Sequence, residues 1–286
     1  MASLKEVKTR IGSVESTKKI TQARQMVASA EFHRAQRALE DARAYKQAVD
    51  SLLGDLAAAN PNFVSRFALP ADKKPVAVVA MSSNSGMAGS FNSNIVRETA
   101  CIEQLYPNDE VWFFPLGRKI REAWSRAGRE HRGNYDYLME RPSQQEISGF
   151  AEELVKMFIE GKIARVDLVG YRFKSLGTQT IERRTLLPYS LPSAGDGAKS
   201  GLEDYYILEP SGEELMEAMI PLALVSDFTA ALADNRASEH AARMLAMQTA
   251  SENADELLEE LRLTYNKVRQ QNITTELLDL IGSSFA

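Results

Sequence analysis

Residues 244–268 of the chain, MLAMQTASENADELLEELRLTYNKV, carry its clearest folding signal. Small or apolar residues recur in it at alternating steps of three and four: Met244, Met247, Ser251, Ala254, Leu258, Leu261, Tyr265 and Val268. This heptad spacing forms an apolar seam along a helix, and the seam needs a partner helix to cover it. Because no proline follows Pro221, the pattern predicts one continuous helix from about Ser211 to Ala286. At roughly 110 Å, such a helix would project from a compact domain.

The other end of the chain supplies the predicted partner. Residues 2–59 contain no proline, and the same spacing recurs at Leu4, Val7, Ile11, Val14, Ala28, Phe32, Ala35, Leu39 and Ala42. The first helix enters the middle of the chain and the last helix leaves it, so side-by-side packing makes them antiparallel. A period near 3.5 residues favours a left-handed supercoil. The predicted domains are an N-terminal coiled-coil helix (1–59), a linker (60–74), an α/β domain (75–210) and a C-terminal coiled-coil helix (211–286).

Charge and length support this pairing. Residues 1–46 hold ten Lys/Arg and five Asp/Glu, whereas residues 211–286 hold five and thirteen. If both helices start level at the domain, the longer one overhangs by about fifteen residues, on the order of 20 to 25 Å. This tip, Asn272 to Ala286, carries Ile273, Leu277, Leu278, Leu280, Ile281 and Phe285. So much apolar surface on a single helix predicts that another protein encloses it.

A polar run interrupts the seam of the first helix at Lys18, Thr21 and Gln25. One interpretation is that these residues fix the register of the coiled coil at some cost in stability. The other is that they form a belt that meets charged loops of a surrounding protein. The spacing alone favours the first interpretation.

The middle of the chain alternates between strand and helix patterns. Strands are predicted at 75–81, 110–116, 166–173 and 178–187, and helices at 91–105, 118–126 and 143–160, the last with a Ser143–Glu146 capping box. Residues 193–201 read as a loop, and Ser211 is the expected N-cap of the last helix. The fold class is therefore α/β: a small open, mostly parallel, Rossmann-like sheet flanked by long N- and C-terminal helices that form an antiparallel left-handed coiled coil.

The loop after the first strand, with Gly86 and Gly89, admits two interpretations. A strand, a small-residue loop and a helix N-terminus can bind phosphate. However, no Gly-x-x-x-x-Gly-Lys-Ser/Thr motif is present, nor is a third glycine or the acidic residue of a dinucleotide site. The pattern favours a structural turn.

Composition bounds the function further. A net charge of −5 argues against a nucleic-acid partner. The single cysteine, Cys101, excludes an internal disulfide, and we expect it to be a small buried residue on a helix. No run of apolar residues is long enough for a membrane span and no signal peptide is apparent, so we expect a cytoplasmic protein. The three histidines are far apart, and nothing in the sequence indicates a catalytic residue, a metal or a cofactor.

Short motifs on both long helices resemble the gamma subunits of F-type ATP synthases. The first helix carries KIT (19–21), MVA (26–28) and HRAQ (33–36), and the last carries ASEHAARMLAM (237–247), YNKVRQ (265–270) and ITTEL (273–277). The resemblance covers essentially the whole chain. The departures are Gln22 and Glu31, where the family commonly has lysine, Ser85 in place of an arginine before Gly86, and Ser283–Ser284 in place of Gly-Ala. The dithiol insert of chloroplast members is absent.

The resemblance implies a non-catalytic rotor shaft. The shaft of a bacterial F1Fo ATP synthase turns inside a ring of three alpha and three beta subunits, and it couples proton-driven rotation of the membrane c-ring to ATP synthesis or hydrolysis. By position, Arg24, Arg269, Gln270 and Thr274 match residues that contact beta. Ile273, Leu277, Leu280 and Ile281 would form an apolar bearing. Tyr206 and Glu209 match the foot on the c-ring beside the epsilon subunit, at the cytoplasmic face of the inner membrane.

Two other function classes stay open at this point. The Gly86–Gly89 turn would be the binding site of a nucleotide-dependent enzyme, which titration with ATP or NAD would reveal. A generic coiled-coil tether would need neither the turn nor the apolar tip, and it would tolerate deletion of residues 272–286.

Overall fold

The computed structural model describes residues 3–70, 74–107, 109–192, 208–209 and 211–284, without the side chains of 103 and 279–284. The chain divides into two compact units. One, the paired-helix unit, consists of Met1–Ala30 with Arg243–Ala286. The other, the α/β unit, consists of Glu31–Ala242.

Both predicted long helices are present. Helix α1 spans Leu4–Ala59 and helix α6 spans Gly212–Ser284. The hydroxyl of Ser211 accepts a hydrogen bond from the Glu214 amide at 3.2 Å and thereby caps α6 as predicted. In the paired-helix unit the predicted seams are turned inward, and their buried members are Val7, Ala28, Met247, Ser251, Ala254, Leu258 and Leu261.

The α/β unit contains a four-stranded sheet. Its elements are β1 (Val76–Met81), α2 (Phe91–Ala100), α3 (Ile102–Leu105), β2 (Val111–Leu116), α4 (Arg118–Arg126), a 3₁₀ turn (Asp136–Met139), α5 (Gln144–Ile159), β3 (Arg165–Ser175) and β4 (Thr178–Leu187). The strand order is β2-β1-β3-β4. β1 pairs in parallel with both β2 and β3, whereas β3 and β4 are antiparallel. This confirms the predicted small, mostly parallel sheet between long helices.

Strand β1 is buried over its whole length because helices cover both faces of the sheet. Ala77, Val79 and Met81 face one core, which contains residues of α1, α5 and α6. The alternate residues face a second core around Phe91, Ile95, Ile120 and Trp124 of α2 and α4. A continuous apolar strand is what this three-layer arrangement requires.

Two local features of this unit follow directly from residue chemistry, one at Gly117 and one at the start of α5. Gly117, between β2 and α4, has φ +102°, and a Cβ there would lie 2.5 Å from the Ser82 carbonyl oxygen. Only glycine therefore allows β2 to turn into α4 this close to the end of β1. Helix α5 begins with the predicted capping box, in which Ser143 and Glu146 satisfy each other's backbone amides.

Side chains of α6 complete the hydrogen bonding of β3. The pairing of β1 with β3 ends at Ala80 and Val169, which leaves later β3 amides without a strand partner on that side. Asn235 Oδ1 accepts from the Tyr171 amide at 3.0 Å, and Asp234 Oδ1 accepts from the Phe173 amide at 3.2 Å. Both acceptors are buried. The polar residues in the middle of α6 therefore dock this helix onto the sheet.

Two predictions in this unit were wrong. The helix predicted over 91–105 breaks into α2 and α3, and Cys101 lies exposed in the turn between them. The buried positions Phe91, Ile95, Thr99 and Ile102 follow a three-four spacing that leaves Cys101 off the apolar face. Periodicity thus outweighed the usual burial of cysteine. The loop predicted over 193–201 lies outside the described residues.

Part of α6 is long and apolar enough, by length and composition, to cross a membrane. Just over half of that apolar window, 56%, is buried inside the protein. A core helix passes the same test, and the burial of Ile220, Leu224 and Phe228 against the sheet favours that interpretation.

Candidate partner-contact site

Two ion pairs set the register of the paired-helix unit. Lys18 of α1 pairs with Asp255 of α6, and Arg262 Nη2 lies 3.2 Å from Glu15 Oε1. Each is partly exposed and contributes about 0.2 to 1 kcal/mol. Both pairs are satisfied by one antiparallel register, so a slide of either helix would break both.

The N-terminus of α1 lies beside a defined part of α6. Ser3 and Leu4 line a shallow groove together with Val268, Gln271 and Thr275. Helix α6 continues to Ser284, so its last turns have no α1 residue of the described chain opposite them. The predicted overhang therefore begins near Asn272 to Thr275, as expected from the relative lengths of the helices.

The described side chains of the overhang are apolar and accessible. Ile273 is 44% exposed, Leu277 54% and Leu278 62%. Leu280 and Ile281, the other predicted bearing residues, have side chains outside the described residues. These three neighbouring side chains form an exposed apolar surface on one helix. Burial of this surface by a partner would be favourable.

The predicted beta-contact residues fall at two levels of the paired helices. Arg24 is exposed on α1, and Arg269, Gln270 and Thr274 are exposed on α6, where the Thr274 hydroxyl donates to the Gln270 carbonyl oxygen at 2.9 Å. In the register set by the ion pairs, Arg24 lies opposite residues near Ser251, about 25 Å along the helix from Arg269. The structure thus groups three of these residues and separates the fourth.

The polar run of α1 takes part in the seam. Thr21 is buried and its hydroxyl donates to the Lys18 carbonyl oxygen at 2.8 Å, while Lys18 forms the ion pair with Asp255. These contacts support the interpretation that the run fixes register. Of the predicted foot, Glu209 is exposed and Tyr206 lies outside the described residues.

Oxygen atoms of the loop after β1 accept hydrogen bonds from the first backbone amides of α4. The amides of Arg118, Lys119 and Ile120 donate to Asn84 Oδ1, the Ser83 carbonyl oxygen and Ser82 Oγ, at 2.9, 3.1 and 2.9 Å. An anion in this loop would need the amides of the loop and of the first turn of α2, and there the Phe91 amide donates to the Ala88 carbonyl oxygen at 3.1 Å and the Ser83 amide donates to Asn92 Oδ1 at 3.0 Å. The loop therefore fits a structural turn better than a phosphate site.

A charged cluster joins α1 to α6 within the α/β unit. Lys46 Nζ lies 2.6 Å from Asp50 and 2.5 Å from Asp227. Burial acts to lower the pKa of Lys46, but its hydrogen bonds to Asp227 and Asp50 outweigh this and the pKa is raised. Burial raises the pKa of Asp227, and Lys46 offsets only part of the effect. The cluster is thus a structural ion network, and no group of three or more metal-ligating side chains occurs among the described residues.

Sequence reasoning missed a contact of Glu31, one of the departures from the family pattern. Its carboxylate lies 2.9 Å from Arg141 Nη2 and 3.1 Å from Arg34 Nη1. Arg34 is a helical neighbour three residues away and was within reach of a sequence argument. Arg141 is distant in sequence, so only the fold could reveal that partner.

The sequence of the chain is similar to ATP synthase sequences over nearly its whole length. A family model described as ATP synthase matches residues 3–286. An ATP synthase gamma chain of Bacteroides fragilis is 44% identical over 291 residues, covering 100% of both chains. One from Flavobacterium johnsoniae is 35% identical over 287 residues, covering 100% of this chain and 99% of the relative.

Solved structures share the fold. A central stalk/c-ring structure of the Tetrahymena thermophila mitochondrial ATP synthase gives a TM-score of 0.57 at 24% identity, over 81% of this chain and 99% of the other. A rotor structure of the Euglena gracilis mitochondrial ATP synthase gives 0.61 at 19% identity, over 94% and 98%. Two long helices flanking a Rossmann-like sheet thus place the chain in the fold class of ATP synthase central stalks. The match over nearly its whole length then shows that the chain belongs to the family of ATP synthase gamma chains.

Proposed function

We propose that the chain is the central rotor shaft of a bacterial F1Fo ATP synthase. It couples proton-driven rotation of a membrane c-ring to ATP synthesis or hydrolysis in a surrounding ring of three alpha and three beta subunits. The observation that carries the proposal is the register of α1 and α6, in which α6 extends past the start of α1 with exposed Ile273 and Leu277. Family membership supplies the identity of the ring.

The role proposed for the chain is mechanical rather than catalytic. A pair of helices presents a different set of side chains on each side, so three beta subunits around it meet three different surfaces. A shaft that contacts open, loose and tight states differently shifts their populations as it turns. Such coupling needs no chemical step in this chain.

The proposed contacts follow the levels of the paired helices. Arg24 meets beta at one level, and Arg269, Gln270 and Thr274 meet beta nearer the tip. Apolar residues of the tip, Ile273, Leu277, Leu280 and Ile281, form a bearing, since apolar contacts are non-directional and few hydrogen bonds break on each turn.

The α/β domain is the proposed foot of the shaft. Residues 75–210 would form the foot domain, which the linker 60–74 joins to the helix 1–59 and which the helix 211–286 follows directly. Tyr206 and Glu209 would rest on the c-ring beside the epsilon subunit. The chain would then be a peripheral protein at the cytoplasmic face of the inner membrane, with no cofactor of its own.

Co-expression with the alpha and beta subunits of the same source tests the proposal. We expect one copy of the chain per three alpha and three beta subunits by mass determination, with ATPase activity that depends on its presence. Deleting residues 272–286 should keep the complex together but lower coupled ATP synthesis. Unchanged coupling would favour the tether, and failure to co-elute with folded partners would overturn the shaft.

A further inference from the structure

A buried carboxylate joins four elements of the α/β unit. Asp234 of α6 is 3% exposed, and its Oδ1 lies 2.5 Å from Arg43 Nη2 of α1. The same oxygen accepts a hydrogen bond from the Phe173 amide of β3 at 3.2 Å. Arg184 Nη2 of β4 lies 4.0 Å from the other carboxylate oxygen. One side chain of α6 is therefore in contact with the other long helix and with two strands of the sheet.

Arg43 closes this arrangement into a ring of hydrogen bonds. Its Nη2 also donates to the Phe173 carbonyl oxygen at 2.7 Å. Side chains of the long helices thus bind both backbone polar groups of Phe173, because Asp234 accepts from the amide and Arg43 donates to the carbonyl oxygen. These three residues are named the Arg43–Asp234 junction.

Apolar side chains pack beside the junction. The ring centroid of Phe173 lies 5.6 Å from that of Phe32 on α1. The Phe173 side chain also packs against a cluster of core residues, Ala35, Leu39 and Ala237. Because this cluster excludes water from one side of the junction, the charged hydrogen bonds there are stronger than they would be on an open surface.

The junction and the apolar core resist displacement in different ways. Much of the packing between α6 and the sheet is apolar, since Ile220, Leu224 and Phe228 lie in one core with residues of β1 and β3. Apolar contacts are non-directional and allow packed elements to slide by small amounts. A charged hydrogen bond from a guanidinium has a defined direction and length. A sideways force on the sheet is therefore passed to α1 and α6 with the least displacement at the junction.

We propose that the Arg43–Asp234 junction transmits torque between the sheet and the two long helices when the shaft turns under load. The inference rests on the rotor role proposed above. Helices α1 and α6 both continue from the α/β unit into the paired-helix unit, so a force applied to the sheet has to enter them within residues 31–242. Arg43 and Asp234 are positioning residues in this scheme, because they hold the helices against the sheet and take part in no chemical step.

Rotation of the assembled complex under low and high viscous drag tests the junction. The alpha and beta subunits are fixed to a surface, and a short or a long rod is attached to Cys101, the exposed cysteine of the α/β unit. Arg43→Met keeps most of the side-chain length and removes the guanidinium. We expect this variant to turn a short rod at the unmodified rate but to deliver about half the torque on a long rod, because the charged hydrogen bonds are lost.

A second variant removes the ion pair from the other side. Asp234→Asn keeps an acceptor for the Phe173 amide and loses the negative charge that binds Arg43. It should lower the torque on the long rod in the same way. Arg43→Lys, which restores the charge without the planar guanidinium, should recover part of the torque lost in Arg43→Met.

Lys46→Met is the matched control. Lys46 also joins α1 to α6, but both of its partners, Asp50 and Asp227, lie on the long helices. Its loss should leave the torque on the long rod unchanged, and thermal unfolding of each variant verifies that it is folded.

Two results would overturn the junction while leaving the rotor role intact. One is equal torque on the long rod for Arg43→Met and the unmodified chain. The other is an equal loss of torque in Lys46→Met, since the effect would then follow from weakened packing of the helices alone. Absence of rotation with the unmodified chain would overturn the rotor role and, with it, this inference.

Discussion

Arg141 Nη2 lies 2.9 Å from Glu31 Oε1 and so joins the segment before α5 to α1. Glu31 is one of the positions at which the sequence departs from the pattern expected for the family, and its charge is balanced within the same chain. Glu31→Lys would place a cation against both Arg141 and Arg34. Because the pair is partly exposed, we expect a loss of about 0.5 to 1 kcal/mol in the free energy of unfolding.

Urea denaturation of a double-mutant cycle measures this coupling. Glu31→Lys combined with Arg141→Glu should recover most of the loss, and added salt should shrink the difference. Strict additivity of the two substitutions would show that the contact contributes nothing.

Gly117 and Gly149 form a matched pair for backbone strain. Gly117→Ala puts a Cβ 2.5 Å from the Ser82 carbonyl oxygen at φ +102°, so we expect a loss of about 2 to 4 kcal/mol in unfolding free energy. Gly149, inside α5, has no atom within 4 Å of an added Cβ, and Gly149→Ala should stabilise the protein by about 0.5 to 1 kcal/mol. Thermal unfolding should move the two variants in opposite directions; a shared direction would contradict the assignment.

Lys46 is the shared partner of two carboxylates. Lys46→Met leaves Asp50 and Asp227 without their cation in a half-buried site, and we expect a loss of about 1 to 3 kcal/mol. Adding Asp227→Leu removes the more buried of the two charges and should restore much of the stability. Chemical denaturation of the single and double variants measures their free energies of unfolding. A double variant less stable than Lys46→Met would contradict the prediction.

Tyr106 and Tyr135 are two of the tyrosines that make stability sensitive to alkaline pH, and burial also raises the pKa of Tyr137, Tyr171 and Tyr189. Burial, followed by the neighbouring Asp167, raises the pKa of Tyr106 to about 12, and burial with Glu153 raises the pKa of Tyr135 to about 12. The folded state therefore favours the neutral phenols. The two tyrosines contribute fully to the free energy of unfolding below about pH 10, the ordinary tyrosine pKa. This contribution is lost as the pH rises from about 10 to about 12.

Unfolding free energy measured across that window should therefore fall, and the raised pKa of Lys46 adds to the fall in the same direction. Tyr106→Phe with Tyr135→Phe should make the profile shallower. Tyr45→Phe, which removes an exposed hydroxyl, is the control and should leave the profile as it is. A profile unaltered by the double variant would exclude these two groups as its source.

Substitutions at the exposed tip of α6 should affect ATP synthesis without affecting the stability of the chain. Because Ile273 and Leu277 are exposed, replacing both with lysine should change the unfolding free energy by less than about 0.5 kcal/mol per site. In the assembled complex the same double variant should lower coupled ATP synthesis severalfold, since charges would enter an apolar bearing. Leu69→Lys, at another exposed leucine, should preserve synthesis. Equal activity of both variants would argue against the bearing.

Most of the secondary structure could be predicted from the sequence because its signals are local. The helix α4 and strand β4 occupy the predicted residues, and the Ser143–Glu146 capping box is present. The exposure of Cys101 was missed because residue type was weighed above spacing. The contact roles of Arg24, Arg269, Gln270 and Thr274 stay predictions, since no partner is present to test them.

Local patterns are enough to predict two long helices with matching apolar seams and a strand-helix middle, because a three-four or alternating repeat depends on neighbouring residues alone. The register of those helices, by contrast, depends on how they pack, and it is seen in the pairs Lys18–Asp255 and Glu15–Arg262. Packing also brings Arg141 against Glu31. These features join residues far apart in sequence, and their distances depend on how complete elements pack.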